Sequence, residues 1–185
     1  MHPDLPPSAW FARFAPLVAP GARVLDLACG RGRHARFFAS RGAIVTAVDR
    51  DGSALAALAG VAGVTTREVD LEAGAWPLGD ERFDAVVVAN YLHRPLLAPL
   101  AAALAPAGVL LYETFARGNE AYGRPSNPDF LLVPGELLAF AAGAGLTAVA
   151  FEQGHAESAG RHAVIQRLAA VGPAHPWPPR VPPLD

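Results

Sequence analysis

The chain contains no lysine and only one cysteine among its 185 residues, and charged residues make up only 17% of the sequence. Because one cysteine cannot form an internal disulfide, and no cysteines and histidines show zinc-ligand spacing, a disulfide-stabilised fold and a zinc finger are both excluded. The 15 basic residues are all arginines, and they are dispersed among 17 acids for a net charge of −2. A basic surface that tracks nucleic acid is therefore not expected.

Long hydrophobic runs are also missing. The most apolar window, residues 96–111, is interrupted by Pro99 and Pro106 and is shorter than a membrane span. The N-terminus lacks the charged and apolar regions of a signal peptide. We therefore expect a cytoplasmic protein with no membrane partner and leave its oligomeric state open.

What the chain does have is an alternation of apolar runs and helical patterns. Strands are expected at residues 23–27, 43–48, 64–69, 83–89 and 108–113, and helices at 10–18, 33–41, 53–59, 96–104 and 134–142. Two further strands, 146–151 and 163–168, follow each other without a helix between them. This order predicts an α/β, doubly wound sheet of seven strands, mostly parallel with the last strand antiparallel.

The predicted organisation has three parts. Residues 23–170 form the ligand-binding domain, residues 1–22 form an N-terminal helical lid segment, and residues 171–185 form a proline-rich C-terminal tail without secondary structure.

The most informative segment runs from Val24 to His34 and reads VLDLACGRGRH. This pattern predicts a buried strand, a tight turn and the start of a helix. Gly30 and Gly32 allow the backbone to approach a nucleotide-like ligand, and the helix N-terminus behind them offers unpaired N–H groups. Asp26 lies within the strand, where a carboxylate is unfavourable unless a polar group meets it.

Two classes of cofactor use such a turn, and these residues alone leave both open. Gly30-x-Gly32, followed by Asp49 near the spacing of a ribose-binding acid, fits the dinucleotide fingerprint, although Asp26 is unfavourable near a pyrophosphate. The pattern Asp26-x-Ala28-x-Gly30-x-Gly32 instead resembles motif I of the class I S-adenosylmethionine (SAM) methyltransferases, with Ala28 in place of a glycine. An ordinary α/β turn without a ligand is the third interpretation.

Two later segments, NYLHRPL at residues 90–96 and LYETF at 111–115, extend this resemblance. Over residues 8–170 the chain is similar to small bacterial SAM-dependent methyltransferases of the tellurite-resistance-like group. The resemblance implies a Rossmann-like fold and SAM as cofactor. It also implies that Asp26 and Asn90 hold the methionine part of SAM, and that Asp70 accepts from the adenine amino group while Leu71 packs on the ring.

Other cofactor contacts follow from position at the sheet edge. Asp49 ends the second strand, where acids face the ligand crevice, so we expect it to contact the cofactor ribose. Its neighbour Arg50 is also predicted to bind the cofactor. The alternative for Asp49 is a cap on the next helix, and for Asp70 a solvated loop acid. Arg33 and Arg13 are both candidates for the cofactor carboxylate.

The acceptor side is expected in the loop of residues 115–133, because long loops above this edge set specificity. Tyr91, Tyr122, Arg124 and Asn127 are predicted to contact a small polar or anionic methyl acceptor, and the alternative is a loop ordered by its own side chains. The chain lacks the Asn/Asp-Pro-Pro-Tyr/Phe sequence of enzymes that methylate nucleic-acid amino groups.

Catalytic side chains are needed only for some acceptors. If the acceptor is a hydroxyl, His93 and Glu113 are the first candidates for a general base, although His93 fits a capping role equally well. The N-terminal helix, with Trp10 and Arg13, is predicted either as a lid over the cofactor or as core packing.

Two other functions remain open at this stage. One is a SAM-binding sensor without catalysis, which would have no acceptor cavity beside the sulfonium. The other is an NAD-type oxidoreductase, against which the lack of a Tyr-x-x-x-Lys pair counts.

Overall fold

The computed structural model describes residues 6–158 and 161–177, which form one layered α/β fold. The strands are β1 (Arg23–Leu27), β2 (Ile44–Asp49), β3 (Val64–Glu68), β4 (Phe83–Ala89), β5 (Leu104–Phe115), β6 (Thr147–Ser158) and β7 (Arg161–Val171). The helices are α1 (Ala9–Phe14), α2 (Arg33–Ser40), α3 (Gly52–Leu55), α4 (Leu97–Ala102) and α5 (Glu136–Gly143). Short 3₁₀ turns cover Ala15–Leu17, Ala56–Leu58, Arg94–Leu96, Asn119–Ala121 and Pro128–Phe130.

The seven strands form one sheet in the order β3-β2-β1-β4-β5-β7-β6. Strands β1 to β5 pair in parallel, whereas β7 pairs antiparallel with both β5 and β6. The predicted fold class is therefore confirmed. Because the parallel strands all end at one edge, the loops after β1, β2, β3, β4 and β5 meet there.

Several element boundaries differ from the sequence prediction, most of all in the last three strands. β5 begins at Leu104, because Leu104 pairs with Phe83 of β4. The register then shifts, and regular pairing resumes between Ala85 and Val109. The terminal hairpin is longer than expected, since β6 and β7 pair continuously up to Ser158 and Arg161. β7 thus extends to Val171, the first residue of the predicted tail, and residues 178–185 of that tail lie outside the described part.

Each face of the sheet carries its own apolar cluster, because successive strand residues point to opposite faces. Leu25, Val86 and Tyr112 belong to the cluster that includes residues of α4 and α5. Val24 and Val87 belong to the opposite cluster, which includes residues of α1 and α2. Within residues 6–158 and 161–177, no helix has the length and apolarity needed to cross a membrane.

Candidate cofactor and acceptor site

A cavity of about 550 Å³ opens at the carboxyl edge of the sheet, where β1, β2, β4 and β5 end. Seven of the residues predicted from sequence line it: Ala28, Asp49, Arg50, Asp70, Leu71, Asn90 and Tyr91. They come from four separate loops, and the parallel strand order brings them to one place. The cavity is also lined by Val69, Glu72, Leu92, Thr114, Phe115, Pro125 and Phe130.

The turn after β1 has the backbone that its sequence suggested. Gly30 and Gly32 have φ values of 54° and 75°, in the left-handed region that favours glycine. A side-chain carbon at Gly32 would lie 2.4 Å from Leu58, whereas one built at Gly30 meets nothing within 4 Å. Gly32 is therefore required by packing, and Gly30 leaves open space beside the cavity.

Two non-glycine residues share this left-handed conformation, and both line the cavity. Ala28 follows β1 with φ 53°, and Asn90 follows β4 with φ 55°. Such backbone conformations are unfavourable for residues with a Cβ, and they concentrate at functional sites. Ala28 thus adopts the backbone that a glycine would favour at the corresponding position of motif I.

Asp49 fixes the turn to the neighbouring strand. Its Oδ2 accepts from the Gly30 N–H at 2.7 Å, and its Oδ1 accepts from the Asp51 N–H at 3.0 Å. The helix-capping role that was the alternative for Asp49 belongs to Asp51, which accepts from the N–H groups of Ser53 and Ala54. Asp49 therefore does not cap α3, and it lines the cavity instead.

Asp26 is the most unusual group near the site. It is 1% exposed, and its Oδ2 has no hydrogen-bond partner among the described residues. Burial raises the pKa of Asp26 from 3.8 to about 7, against the smaller lowering effects of the Ala35 amide and Arg33. A buried acceptor without a partner is unfavourable, so this atom fits a cofactor that brings a cationic donor.

The half of the cavity near β2 and β3 is acidic. Asp49, Asp70 and Glu72 line it, and Arg50 is the one cation among the described lining residues. Tyr91 donates to Glu72 at 3.2 Å, and burial together with Glu72 raises the pKa of the Tyr91 phenol, which stays protonated. This charge favours a ligand with ammonium, amino and hydroxyl donors over one with phosphates.

The other half, near β4 and β5, is mostly apolar. Its walls are Phe115, Pro125, Phe130 and Leu92, and Thr114 lies among them at 1% exposure. Thr114, Phe115, Pro125 and Phe130 were not predicted from sequence as site residues. The position of Thr114 and Phe115 at the end of β5 was a usable signal, whereas nothing in the sequence marks which loop residues turn inward.

The long loop after β5 is held in place by two polar side chains. Asn119 is buried, donates to the Pro125 carbonyl at 2.9 Å and accepts from the Val164 N–H at 3.2 Å. Arg94 donates to the carbonyls of Asp129 and Leu131 at 2.7 and 2.9 Å. Between them these residues position the segment that carries Pro125 and Phe130.

Arg94 also forms an ion pair with Glu136 at the start of α5, at 2.7 Å. We expect Arg94→Ala to raise amide hydrogen exchange in residues 127–131 by about five- to tenfold, because the bonds to two loop carbonyls are lost. Arg94→Lys should restore little of the protection from exchange, because one ammonium group cannot make all the hydrogen bonds of the planar guanidinium. Arg82→Ala, at the opposite end of β4, is the control, and equal exchange in both alanine variants would contradict this role.

Several predicted site residues lie away from the cavity. Tyr122 packs at a tilt against His155, with ring centroids 5.0 Å apart, and Asn127 caps the turn at Pro128–Phe130. Arg124 is exposed, and His93 precedes the turn Arg94–Leu96 without a side-chain capping bond. The structure does not bring these four residues to the lining.

Glu113 lies on the opposite side of β5 from Thr114, because it is the adjacent strand residue. Its Oε2 accepts from Arg167 Nε at 2.6 Å and from the Ser8 hydroxyl at 3.0 Å. It therefore serves as an anchor between β5, β7 and the start of α1, and both bonds oppose a role as a free base.

The N-terminal helix packs on the sheet. Trp10 and Phe11 are buried in the apolar cluster, and Ser8 donates its N–H to His34 Nε2 at 3.1 Å. Arg13 pairs with Glu152 of β6 at 3.4 Å, away from the cavity lining. Of the two arginines considered for the cofactor carboxylate, Arg33 remains at the glycine turn as the first residue of α2.

The comparisons with known proteins agree with this geometry. Residues 24–108, which include the glycine turn, β2, β3 and β4, match the family model described as a methyltransferase domain. The match covers less than half of the chain, and it shows that residues 24–108 are similar to methyltransferase domains. No curated protein matches the chain in sequence.

Among solved structures, the chain is similar to TehB from Haemophilus influenzae, with a TM-score of 0.72 and 18% identity over 87% of this chain. The chain spans only 60% of TehB. A SAM-dependent methyltransferase from Mesorhizobium loti has a TM-score of 0.68 and 18% identity over 89% of this chain and 98% of its own. The [4+2]-cyclase SpnF has a TM-score of 0.67 and 19% identity over 88% of this chain and 79% of its own.

These identities show a common fold and no more. The presence of a cyclase among the similar structures means that the fold alone does not determine the reaction. Substrate and mechanism have to be argued from the residues of the cavity.

Proposed function

We propose that the chain transfers the methyl group of SAM to a small-molecule acceptor by direct in-line displacement. The observation that carries this proposal is a single cavity with two unlike halves. The acidic half suits SAM, and the apolar half suits a second small molecule. Asp26 is outside the lining, but it lies two residues before the lining residue Ala28 and its buried Oδ2 has no partner among the described residues.

Residues of the acidic half and of the glycine turn have proposed tasks in binding. The Asp26 carboxylate accepts a hydrogen bond from the cofactor ammonium, and this bond supplies the partner that Oδ2 lacks. Asp49 accepts from the ribose hydroxyls, and Asp70 accepts from the adenine amino group while Leu71 packs on the ring. Gly30 allows the backbone to come close, and Arg33 is proposed to pair with the cofactor carboxylate.

SAM, when bound, supplies a sulfonium methyl that is already activated for attack by an electron pair. The protein therefore has to align the acceptor, keep both molecules close and exclude water. Phe115 and Phe130 add apolar side chains to the lining, which disfavours water there, and Asn90 and Thr114 supply polar groups for alignment. His93 and Glu113 lie outside the cavity lining, so the proposed transfer does not depend on a base at either position.

A SAM-binding sensor without catalysis is the alternative function. Its prediction was a site without an accessible acceptor cavity, and the extension of the cavity to Thr114, Phe115 and Phe130 favours catalysis instead. The NAD-type alternative requires room for a pyrophosphate near Asp26, Asp49, Asp70 and Glu72, and this acidic group disfavours it.

We expect S-adenosylhomocysteine to bind the purified chain and NAD to show no measurable binding. Isothermal titration with each ligand under identical conditions checks this, because the two differ mainly in charge and shape. NADP serves as a further control for nucleotide binding in general. Tight binding of NAD without binding of S-adenosylhomocysteine would contradict the proposed function.

A further inference from the structure

Two polar side chains at the acceptor half of the cavity have no partner. The Thr114 hydroxyl and the Asn90 carboxamide form no hydrogen bond within the described residues, and both residues line the cavity. Ala89 of β4 pairs with Glu113 of β5. Asn90 and Thr114 are the residues that follow this pair, so they are neighbours at the ends of the two strands. Thr114 lines the cavity but is only 1% exposed, so its hydroxyl has little access to bulk water.

The charge of this half is also distinctive. Among the described residues, the lining contributed by β4, β5 and the loop consists of Asn90, Tyr91, Leu92, Thr114, Phe115, Pro125 and Phe130. This set contains no arginine, histidine or carboxylate, and the Tyr91 phenol is committed to Glu72. An anionic acceptor would meet no cation here and would face the acids of the other half.

The same set offers no general base, so the acceptor atom has to be nucleophilic without losing a proton first. A hydroxyl that must be deprotonated fails this condition, and a thiolate or carboxylate fails the charge condition. An uncharged aromatic or heteroaromatic nitrogen meets both. Its flat ring is suited to packing against the aromatic side chains of the lining, Phe115 and Phe130.

We propose, on the basis of the proposed function, that the acceptor is a small, flat, uncharged molecule methylated on a ring or aromatic amine nitrogen, with Thr114 and Asn90 holding its polar edge. The nitrogen lone pair forms the new N–C bond while the C–S bond of SAM breaks. The electron pair of that bond goes to sulfur, which becomes the neutral thioether of S-adenosylhomocysteine. The positive charge passes to nitrogen, and an N–H acceptor then releases its proton to water.

The test uses three probes of similar size in the presence of saturating S-adenosylhomocysteine. Benzimidazole is flat and uncharged at mildly alkaline pH, benzoate is anionic and benzylamine is cationic. We expect benzimidazole to bind at least about tenfold more tightly than either charged probe, measured by ligand-observed NMR. With SAM in place of S-adenosylhomocysteine, benzimidazole should be converted to its N-methyl product.

Variants connect this selectivity to the named residues. Thr114→Val should weaken benzimidazole binding by about three- to tenfold through loss of one hydrogen bond, and Thr114→Ser should restore it. Asn90→Gly removes the amide while keeping the left-handed backbone, and it should have a similar effect. Thr65→Val, on the exposed edge strand β3, is the matched control and should bind benzimidazole normally.

The outcomes separate this inference from the proposed function. Binding of S-adenosylhomocysteine together with equal or tighter binding of benzoate overturns the acceptor class alone, as does failure of benzimidazole to bind. Unchanged binding in Thr114→Val and Asn90→Gly overturns the roles of these residues. No binding of S-adenosylhomocysteine overturns both proposals.

Discussion

Replacing Asp26 with asparagine should make the ligand-free protein more stable at neutral and mildly alkaline pH and should weaken cofactor binding at the same time. Asp26 is buried, and its Oδ2 lacks a partner within the described residues. Burial of an unpaired carboxylate disfavours its charged form, so the native fold bears the cost of this charge until a ligand compensates it.

The sign of the pH dependence follows from the raised pKa. Below pH 3.8 the carboxyl is neutral in both the folded and the unfolded chain, and Asp26 contributes no pH dependence. Between 3.8 and about 7 the unfolded chain ionises first, so the free energy of unfolding decreases as pH rises. Above about pH 7 the whole penalty is present, and it corresponds to about 4 kcal/mol from the rise in pKa.

Asparagine removes the charge but leaves an amide that also needs partners. We therefore expect Asp26→Asn to raise the free energy of unfolding by about 1–3 kcal/mol at mildly alkaline pH, and by much less near pH 4. Affinity for S-adenosylhomocysteine should fall about ten- to hundredfold, because a charge-assisted hydrogen bond is lost. Urea denaturation and titration calorimetry measure the two effects.

The control is Asp80→Asn, which makes the same chemical change at an exposed position. It should leave both quantities nearly unchanged. A less stable Asp26→Asn protein at mildly alkaline pH, or one with normal cofactor affinity, would contradict the proposed role of Asp26. Titration of the wild-type protein adds an independent check, since its affinity should weaken as pH falls below about 7.

Most of the fold was predictable because its signals are local. The run VLDLACG and the glycines after it specify a strand and a tight turn without reference to distant residues. Acids at the ends of β2 and β3 were predicted to meet because parallel strands end at one edge. The early start of β5 was not predictable, since Leu104 joins the sheet only through pairing with Phe83.

The acceptor half was less predictable for a physical reason. Loop residues have no periodicity that shows which side chains turn inward, and tertiary contacts alone decide it. The sequence favoured Tyr122, Arg124 and Asn127 by chemical type, but the cavity is lined by Pro125 and Phe130. Their placement depends on Asn119 and Arg94. These side chains bond the backbone of residues far along the chain, such as Val164 and Asp129, and no sequence pattern predicts such contacts.

The second large effect is expected at Asp49, for which Asp51 provides a matched comparison. Both are acids in the turn after β2, but Asp49 lines the cavity and binds the Gly30 N–H, whereas Asp51 caps α3. Asp49→Ala should weaken binding of S-adenosylhomocysteine by about 1–3 kcal/mol, because it removes the proposed ribose acceptor and loosens the glycine turn. The fold should survive, since Asp49 is only partly buried.

Asp51→Ala should show the opposite pattern. Loss of the N-cap should lower the thermal stability, while cofactor affinity stays within about twofold. Thermal unfolding and titration calorimetry on both variants separate the two roles, because each variant serves as the control for the other. If both variants lose affinity equally, the effect comes from the loop as a whole and the ribose contact of Asp49 is wrong. If Asp49→Ala binds normally, the acidic half of the cavity does not hold the nucleoside, and the orientation proposed for the cofactor has to be reversed.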